Sequence, residues 1–546
     1  NVPNTASVEP DDSKDRMTMC KVPQSSAIEA ENNPGPAPPA MPDMLVPALP
    51  SEVDVAVIGS GFAGLCMAIR LRQAGWRDFV LLEQADRVGG TWRDNDYPGA
   101  ACDIPASLYS FSFEANPGWT HVYPQQGELQ AYLEHCVGKY GLGTHLHSHS
   151  AVTAARFDAR AQRWRLRVND EFDLSARVLI VATGALSRPA LPDIEGLAGF
   201  TGPVFHSARW RHDIALEGRH VAVVGTGASA IQFVPQIAPR VARLTLFQRT
   251  APWVMPKPDR VLTAGEISRR SVFPRWQQAE RALTYLRLEA RAVFFTRWPG
   301  LLRRAQVQLL RYLHREVRDP RLREQLTPPY VMGCKRILLS NDFYAALRRP
   351  NVVLVTEPIA RIGPDGVHTR DAAVHPADVI ILATGFQAAE GGSPFPVFGR
   401  EDVELNGVWA GGAQAYLGTT VAGFPNLFLM TGPNTGVGHN SMVYMIESQV
   451  RYVLDALRTM RRRGLAVVDV DAEAQREFNA WLQRRLAHTV WATGGCRSWY
   501  LTRDGRNTTL WPGFTFAFRR LTRRFDLRRY RSWPAGSTGP LADHSR

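Results

Sequence analysis

The chain has 546 residues, 45% of them hydrophobic and 21% charged, which excludes a disordered or fibrous protein and leaves room for three or four folding units at roughly 150 residues each. Its net charge of +13 is unevenly placed: residues 1–50 carry three Lys or Arg against seven Asp or Glu, and residues 497–546 carry eleven against three. No nucleic-acid motif is interleaved with the basic residues, so no nucleic-acid partner is expected, and the surplus is read as solvated arginines together with sites for small anions.

Six cysteines, at 20, 66, 102, 136, 334 and 496, form no CxxC pair. A disulfide scaffold and a metal module are both disfavoured, no metal is expected, and a reducing, cytoplasmic setting fits. Residues 1–50 contain no apolar h-region and are rich in Pro, Ser, Asn and Ala, with PGPAPPAMP at 34–42; a disordered arm is expected there. The longest apolar stretch, Val53 to Leu71, is interrupted by Asp54 and three glycines, which argues against an integral membrane segment.

That stretch reads instead as strand, tight turn and helix, ended by Gly75, with a second strand closing at Glu83. Gly59-x-Gly61-x-x-Gly64 falls between the strand and the helix. In a dinucleotide site Gly59 allows the turn, Gly61 admits the pyrophosphate and Gly64 lets helix and strand pack. Glu83 stands where a carboxylate accepts hydrogen bonds from a ribose diol. The same layout recurs with Gly225-x-Gly227-x-x-Ala230, followed by a strand ending at Gln248-Arg249, where a guanidinium favours a 2'-phosphate and hence NADPH over NADH. Each unit has an echo, VLIVATGA at 178–185 and VIILATGF at 379–386, expected to return beneath the bound cofactor.

Between 262 and 328 the pattern changes to long Arg-rich helices. Leu283, Leu286, Ala290 and Val293 share one face, and Leu302, Ala305, Leu309, Leu313 and Val317 line the next. A helical insertion is expected, with core packing favoured for Phe294, Phe295 and Trp298; peripheral membrane association is the alternative. Two nucleotide sites in one chain imply electron transfer from a nicotinamide to a flavin. Cys66 and Cys102 lack the CxxxxC spacing of a disulfide reductase, which leaves dioxygen as the acceptor.

Phe200-x-Gly202-x-x-x-His206-x-x-x-Trp210 resembles the fingerprint of Baeyer-Villiger monooxygenases, with Arg211 where that family usually has Pro or Asp. A second family string runs through Gly89-Gly90-Thr91-Trp92, Tyr97-Pro98-Gly99 and Asp103, and a third is Ser498-Trp499-Tyr500. The resemblance spans about residues 51–531. It implies an α/β fold with two Rossmann-type domains, for FAD and NADP, and a helical insertion: FAD domain 51–190, NADP domain 191–261 including the linker string, insertion 262–328, NADP domain 329–385, and FAD domain with a basic tail 386–546.

By the same resemblance, Arg336 is the active-site arginine, oriented by Asp103 and stabilising negative charge on a C4a-peroxyflavin that attacks a ketone. Lys335 joins Arg249 at the 2'-phosphate, Thr91, Trp92 and Tyr97 line the cofactor site, Trp499 contacts the nicotinamide nucleotide, and His206 acts in domain coupling. His439 and Asn440, in a glycine turn before a helix, are candidates for the flavin site or for capping that helix. The implied activity is NADPH-dependent insertion of one oxygen atom from O2 beside a ketone, giving an ester or lactone, by a monomer or small homo-oligomer. Sulfur or nitrogen oxygenation by the same class, and non-catalytic FAD binding, are the alternatives.

Overall fold

The computed structural model describes residues 48–387 and 392–535. Most of the expected N-terminal arm and the end of the basic tail lie outside those residues. The stretch from Val53 to Leu71 is a strand, Glu52–Ile58, a glycine turn and a helix, Phe62–Gln73. The strand is buried along most of its length, as a continuous apolar run in a parallel sheet must be. Arg70 and Arg72 in the last helical turn offset the negative end of the helix dipole, and Gly75 takes the left-handed backbone that ends it, at φ +85°.

Glu52–Ile58 is central to an eight-stranded sheet. Phe79–Leu82 lies parallel on one side and Phe172–Val181 parallel on the other. Two short late segments join the same sheet: Val397–Phe398 beside Val152–Asp158, and Leu427–Leu429 beside Phe172–Val181. A second, five-stranded sheet is parallel throughout, in the order Val352–Val355, Arg243–Phe247, His220–Val224, Val379–Leu382, Val204–His206. Each sheet carries one glycine fingerprint after a central strand. Among the described residues no helix is long and apolar enough to cross a membrane.

The segment expected as an insertion holds the helices Ala264–Val272, Pro274–Ala290, Ala292–Thr296, Pro299–Glu316 and Pro320–Gln325. Leu302, Leu309, Leu313 and Val317 are buried as expected, whereas Ala305 is exposed. Core packing fails for five of the other apolar residues. Phe295 is buried, but Leu283, Leu286 and Ala290 are exposed, because Pro274–Ala290 turns Gln277, Leu288 and Glu289 inward instead, and beyond that helix Phe294 is 39% and Trp298 61% exposed. The inward face is set by a charge: Glu289 accepts hydrogen bonds from Thr515 N–H (2.5 Å), Thr515 Oγ1 (2.8 Å) and Asn440 Nδ2 (2.5 Å), and His439 Nε2 stands 3.6 Å away. One buried carboxylate thus joins the insertion, the turn before the helix Met442–Arg463, and the start of the helix Thr515–Leu521.

The cysteine spacing did not suggest a disulfide, yet Cys334 and Cys496 form one across 162 residues of sequence. It is a single long-range link, which is why no local pattern announces it. Cys66, Cys102 and Cys136 are free and buried.

Burial alone would raise the pKa of Glu289, but His439, Thr515 and Asn440 outweigh it and hold the carboxyl below its ordinary value. A depressed folded pKa makes the ionised form stabilising: the contribution is full above about pH 4.3, the ordinary value, and is lost as pH falls through the lowered one. Glu289→Ala, which strands several buried donors, should lower the apparent unfolding temperature at pH 7 and flatten its acid dependence, at a cost of about 2 to 4 kcal/mol. Thermal unfolding followed by circular dichroism between pH 3 and 7 checks both; an unchanged profile contradicts the clamp.

Candidate functional site

The two glycine loops are built by one device. Ala182 N–H donates to Ile58 O at 2.8 Å, bringing the echo strand under the first loop, and a Cβ on Gly59, at φ +97°, would meet Ala182 O at 2.8 Å. In the second loop Ala383 N–H donates to Val224 O at 2.8 Å, and a Cβ on Gly225, at φ +111°, would meet Ala383 O at 2.4 Å. The strands VLIVATGA and VIILATGF therefore do return beneath the loops. Gly64 packs so closely that its Cβ would fall 1.7 Å from Gly59 O.

The middle glycines are different. A Cβ on Gly61 would find its nearest neighbour at 3.7 Å, and one on Gly227 would find nothing within 4 Å. Packing within the chain does not require glycine at either place, which leaves the backbone open to close approach by a ligand. The helices that follow, Phe62–Gln73 and Ala230–Ile237, have no side-chain cap on their first turns, leaving N–H groups and a positive dipole end for phosphate oxygens. These features fit a dinucleotide at each loop.

Glu83 is buried at the end of its strand. It accepts from Ser60 N–H (3.0 Å), Ser60 Oγ (2.6 Å) and Ala85 N–H (3.0 Å), and it pairs with Arg93 (2.8 Å). At the second loop Arg249 is exposed and lies near enough to Lys335 to help depress its pKa, after burial, which is the larger cause. Two like charges, one exposed and one half-buried, therefore stand close together at the second loop. Lys335 also stands 5.1 Å over the Tyr330 ring.

Arg336 Nη2 lies 3.3 Å from Asp103 Oδ2, across 233 residues of sequence. The Asp103 side chain is 12% exposed and that of Arg336 is 44% exposed. Desolvation opposes the guanidinium's charge, but Asp103, Tyr500 and Cys102 more than offset it and raise its pKa. Among the described residues, Oδ1 of Asp103 is buried without a hydrogen-bond partner, an acceptor free for a bound group. The Arg336 loop is seated by the insertion, since Gly333, at φ +92°, leaves room for Phe295 and Leu302, and by Leu338 N–H donating to Trp253 O at 2.9 Å.

Upstream of Asp103 the string 89–99 wraps both units. Thr91 and Trp92 form a short helix, Trp92 Nε1 donating to Tyr109 OH at 3.2 Å. Tyr97 OH bonds Gln232 Oε1 at 3.0 Å, and its ring meets Phe233, both on the helix after the second glycine loop. Burial pushes the Tyr97 hydroxyl up to about 12 and the Cys102 thiol up to about 12, so both stay protonated near neutral pH. The free cysteines near the first loop offer no thiolate for disulfide exchange.

The linker string lies within the second unit. Phe200 is buried, and a Cβ on Gly202 would strike Asp378 O at 2.3 Å. Trp210 packs between Phe205 and Phe233. His206 pairs in register with Leu382 of the echo strand, and its Nδ1 accepts from Ala208 N–H at 3.1 Å. Burial lowers its pKa, which keeps the ring neutral and suits a positioning role over acid–base work.

Trp499 is 44% exposed, so it is not a core residue; Tyr500 beside it is buried and lies in the field of Arg336. His439 and Asn440 are buried, and the Asn440 amide is committed to Glu289 and to Ser441 N–H. Ser441 caps the following helix by accepting from Val443 N–H. Sequence reasoning missed Gln232, Tyr500 and Glu289. Only Tyr500 carried a signal, its place inside the Ser498-Trp499-Tyr500 string.

Residues 56–268 match the family described as pyridine nucleotide-disulphide oxidoreductase. A Baeyer-Villiger monooxygenase of Pseudomonas aeruginosa is 48% identical over 92% of this chain and 95% of its own length. Another, of Streptomyces coelicolor, is 47% identical over 88% of this chain and 92% of its own. Among solved structures, the OTEMO complex with FAD and NADP superposes with a TM-score of 0.78 at 27% identity, covering 86% of this chain and 97% of that one.

The contrast between the glycines is testable. Gly225→Ala meets both a left-handed backbone and the Ala383 carbonyl, and should cost about 1 to 3 kcal/mol, seen as a lower unfolding temperature. Gly227→Ala should leave thermal unfolding of the ligand-free protein unchanged; equal losses in the two variants contradict the reading of the open space.

Proposed function

Because the chain belongs to the Baeyer-Villiger monooxygenases, FAD- and NADPH-dependent enzymes that insert one oxygen atom from O2 next to a ketone carbonyl, we propose that Arg336, held by Asp103, is the cation on which this reaction depends. The observation that carries the assignment is the Arg336–Asp103 contact, which brings the end of the family string 89–103 onto the arginine that the resemblance singles out, 233 residues away in sequence. Held at the first glycine loop, FAD would supply the redox exchange with NADPH and the activation of dioxygen.

The chain's own residues do the rest. Arg336 stabilises negative charge that develops on oxygen beside the carbonyl, and its raised pKa keeps it charged at every working pH. Asp103 orients the guanidinium and leaves its second oxygen free. Gly59, Gly61, Gly64 and Glu83 hold FAD, with Thr91, Trp92 and Tyr97 beside it. Gly225, Gly227 and Ala230 hold the pyrophosphate of NADPH, Arg249 and Lys335 its 2'-phosphate, and Trp499 its nicotinamide half.

The link from Tyr97 to Gln232, with His206 and Trp210 in the linker string, keeps the two cofactor units in a fixed relation. The substrate is a small-molecule ketone, oxidised together with O2. The names of the relatives favour this reading over sulfur or nitrogen oxygenation and over a non-catalytic FAD-binding protein.

The direct test is NADPH consumption across a panel of linear, cyclic and aryl ketones, with mass spectrometry for the gain of one oxygen atom. Ester or lactone is expected; oxidised sulfide or amine with no ester from any ketone contradicts the reading. Arg336→Ala should still permit flavin reduction by NADPH while ester formation falls at least a hundredfold, the usual scale for losing an electrostatic stabiliser. Unchanged ester output removes the assignment. Arg249→Ala should raise KM for NADPH at least tenfold and leave KM for NADH nearly unchanged, since each charge-assisted hydrogen bond contributes about 1.5 to 3 kcal/mol; equal effects on the two nucleotides exclude a 2'-phosphate contact.

A further inference from the structure

The disulfide stands between two site segments. Cys334 precedes Lys335 and Arg336 in one, and Cys496 precedes Ser498, Trp499 and Tyr500 in the other. Residues 495–500 have few other ties. Among the described residues their hydrogen bonds stay local: Tyr500 N–H donates to Ser498 Oγ (3.4 Å) and Leu501 N–H to Ser498 O (3.1 Å). The nearest cross-link outside the segment is Val331 N–H donating to Gly494 O at 3.0 Å. Gly494 packs flat on Cys334, where an added Cβ would fall 2.6 Å from Cys334 Cβ and 2.9 Å from its sulfur. Burial of Tyr500 is the remaining anchor, while Trp499 stays exposed.

We propose that Cys334–Cys496 is a thiol–disulfide site that sets how firmly the nicotinamide nucleotide is held. Oxidised, it pins the Trp499 segment beside Lys335 and Arg336; reduced, it releases that segment, and Trp499 spends less time over the nucleotide. The proposal rests on the assignment of Trp499 and Lys335 to the nucleotide site.

The sulfur open to attack is that of Cys496, which is half-buried, whereas Cys334 is fully buried. A dithiol reductant bonds to Cys496 Sγ, and Cys334 leaves as a thiolate that takes a proton. The reductant's second sulfur then displaces Cys496 as the other thiol. Two electrons and two protons have passed to the cysteines, and the dithiol has closed to a cyclic disulfide. A purely structural staple would lower the unfolding temperature on reduction without altering nucleotide binding, and that separates the two roles.

The test uses the full chain loaded with FAD, before and after treatment with dithiothreitol. Native thiols are capped by iodoacetamide and located by peptide mass spectrometry. NADPH-dependent flavin reduction in anaerobic stopped flow then gives the apparent Kd and the limiting rate. Reduction should weaken NADPH roughly tenfold, the scale of one lost stacking or hydrogen-bond contact, with the limiting rate nearly unchanged and the affinity restored by oxidised glutathione.

Cys496→Ser should bind NADPH equally weakly and ignore the reductant. An unchanged Kd in protein with both cysteines alkylated overturns the proposal, as does alkylation of both in protein never exposed to reductant. Trp499→Ala separates the premises. If it weakens NADPH but reduction does not, the disulfide role falls and the nucleotide assignment stands; if reduction weakens NADPH and Trp499→Ala does not, the assignment of Trp499 falls, and with it the proposed route from disulfide to nucleotide.

Discussion

The candidate site is organised around a guanidinium and a carboxylate brought together across 233 residues of sequence. The Arg336–Asp103 pair is half open to solvent on the arginine side, where ion pairs add little to stability, typically below about 1 kcal/mol. Its value lies in position. A flexible arginine at a reacting centre loses most of its effect if its planar head wanders, and a carboxylate fixes both the head's location and its charge. The elements around the pair serve that end. The insertion packs Phe295 and Leu302 against Gly333, the Trp253 carbonyl accepts from Leu338 N–H, and the buried Tyr500 lies in the field of the guanidinium.

Around this pair the fold repeats one local solution. In each unit a parallel strand ends in a left-handed glycine whose missing Cβ makes room for a carbonyl just past the end of the neighbouring strand of the sheet, Ala182 in the first and Ala383 in the second. The helix that follows presents uncapped N–H groups. What differs is the residue after the second strand: a buried carboxylate, Glu83, in one unit and an exposed arginine beside a lysine in the other. The string 89–103 spans both, giving Tyr97 to the helix of the second unit and Asp103 to the arginine.

Much of this was legible in the sequence because it is local. A buried parallel strand is a continuous apolar run, and a glycine turn followed by a helix occupies one short window, so the α/β class and both loops could be read directly. The insertion's helices were legible from their period, but not all of their inward faces: Glu289 inverts the apolar face of Pro274–Ala290, because several donors supplied by distant segments satisfy its charge. The Cys334–Cys496 link and the Tyr97–Gln232 contact were illegible for the same reason, each joining segments more than a hundred residues apart. Arg336 and Asp103 could be paired beforehand only through a family resemblance, since no spacing rule relates them.

A double-mutant cycle between Arg336 and Asp103 tests the central claim most directly. The quantity measured is ester formed per NADPH consumed, with Arg336→Ala, Asp103→Ala and the double variant beside the unmodified enzyme. If the carboxylate acts through the guanidinium, the double variant is no worse than Arg336→Ala alone, and the coupling energy is at least about 1 kcal/mol. Losses that simply add would mean that the two side chains act independently, and the account of the site would be wrong.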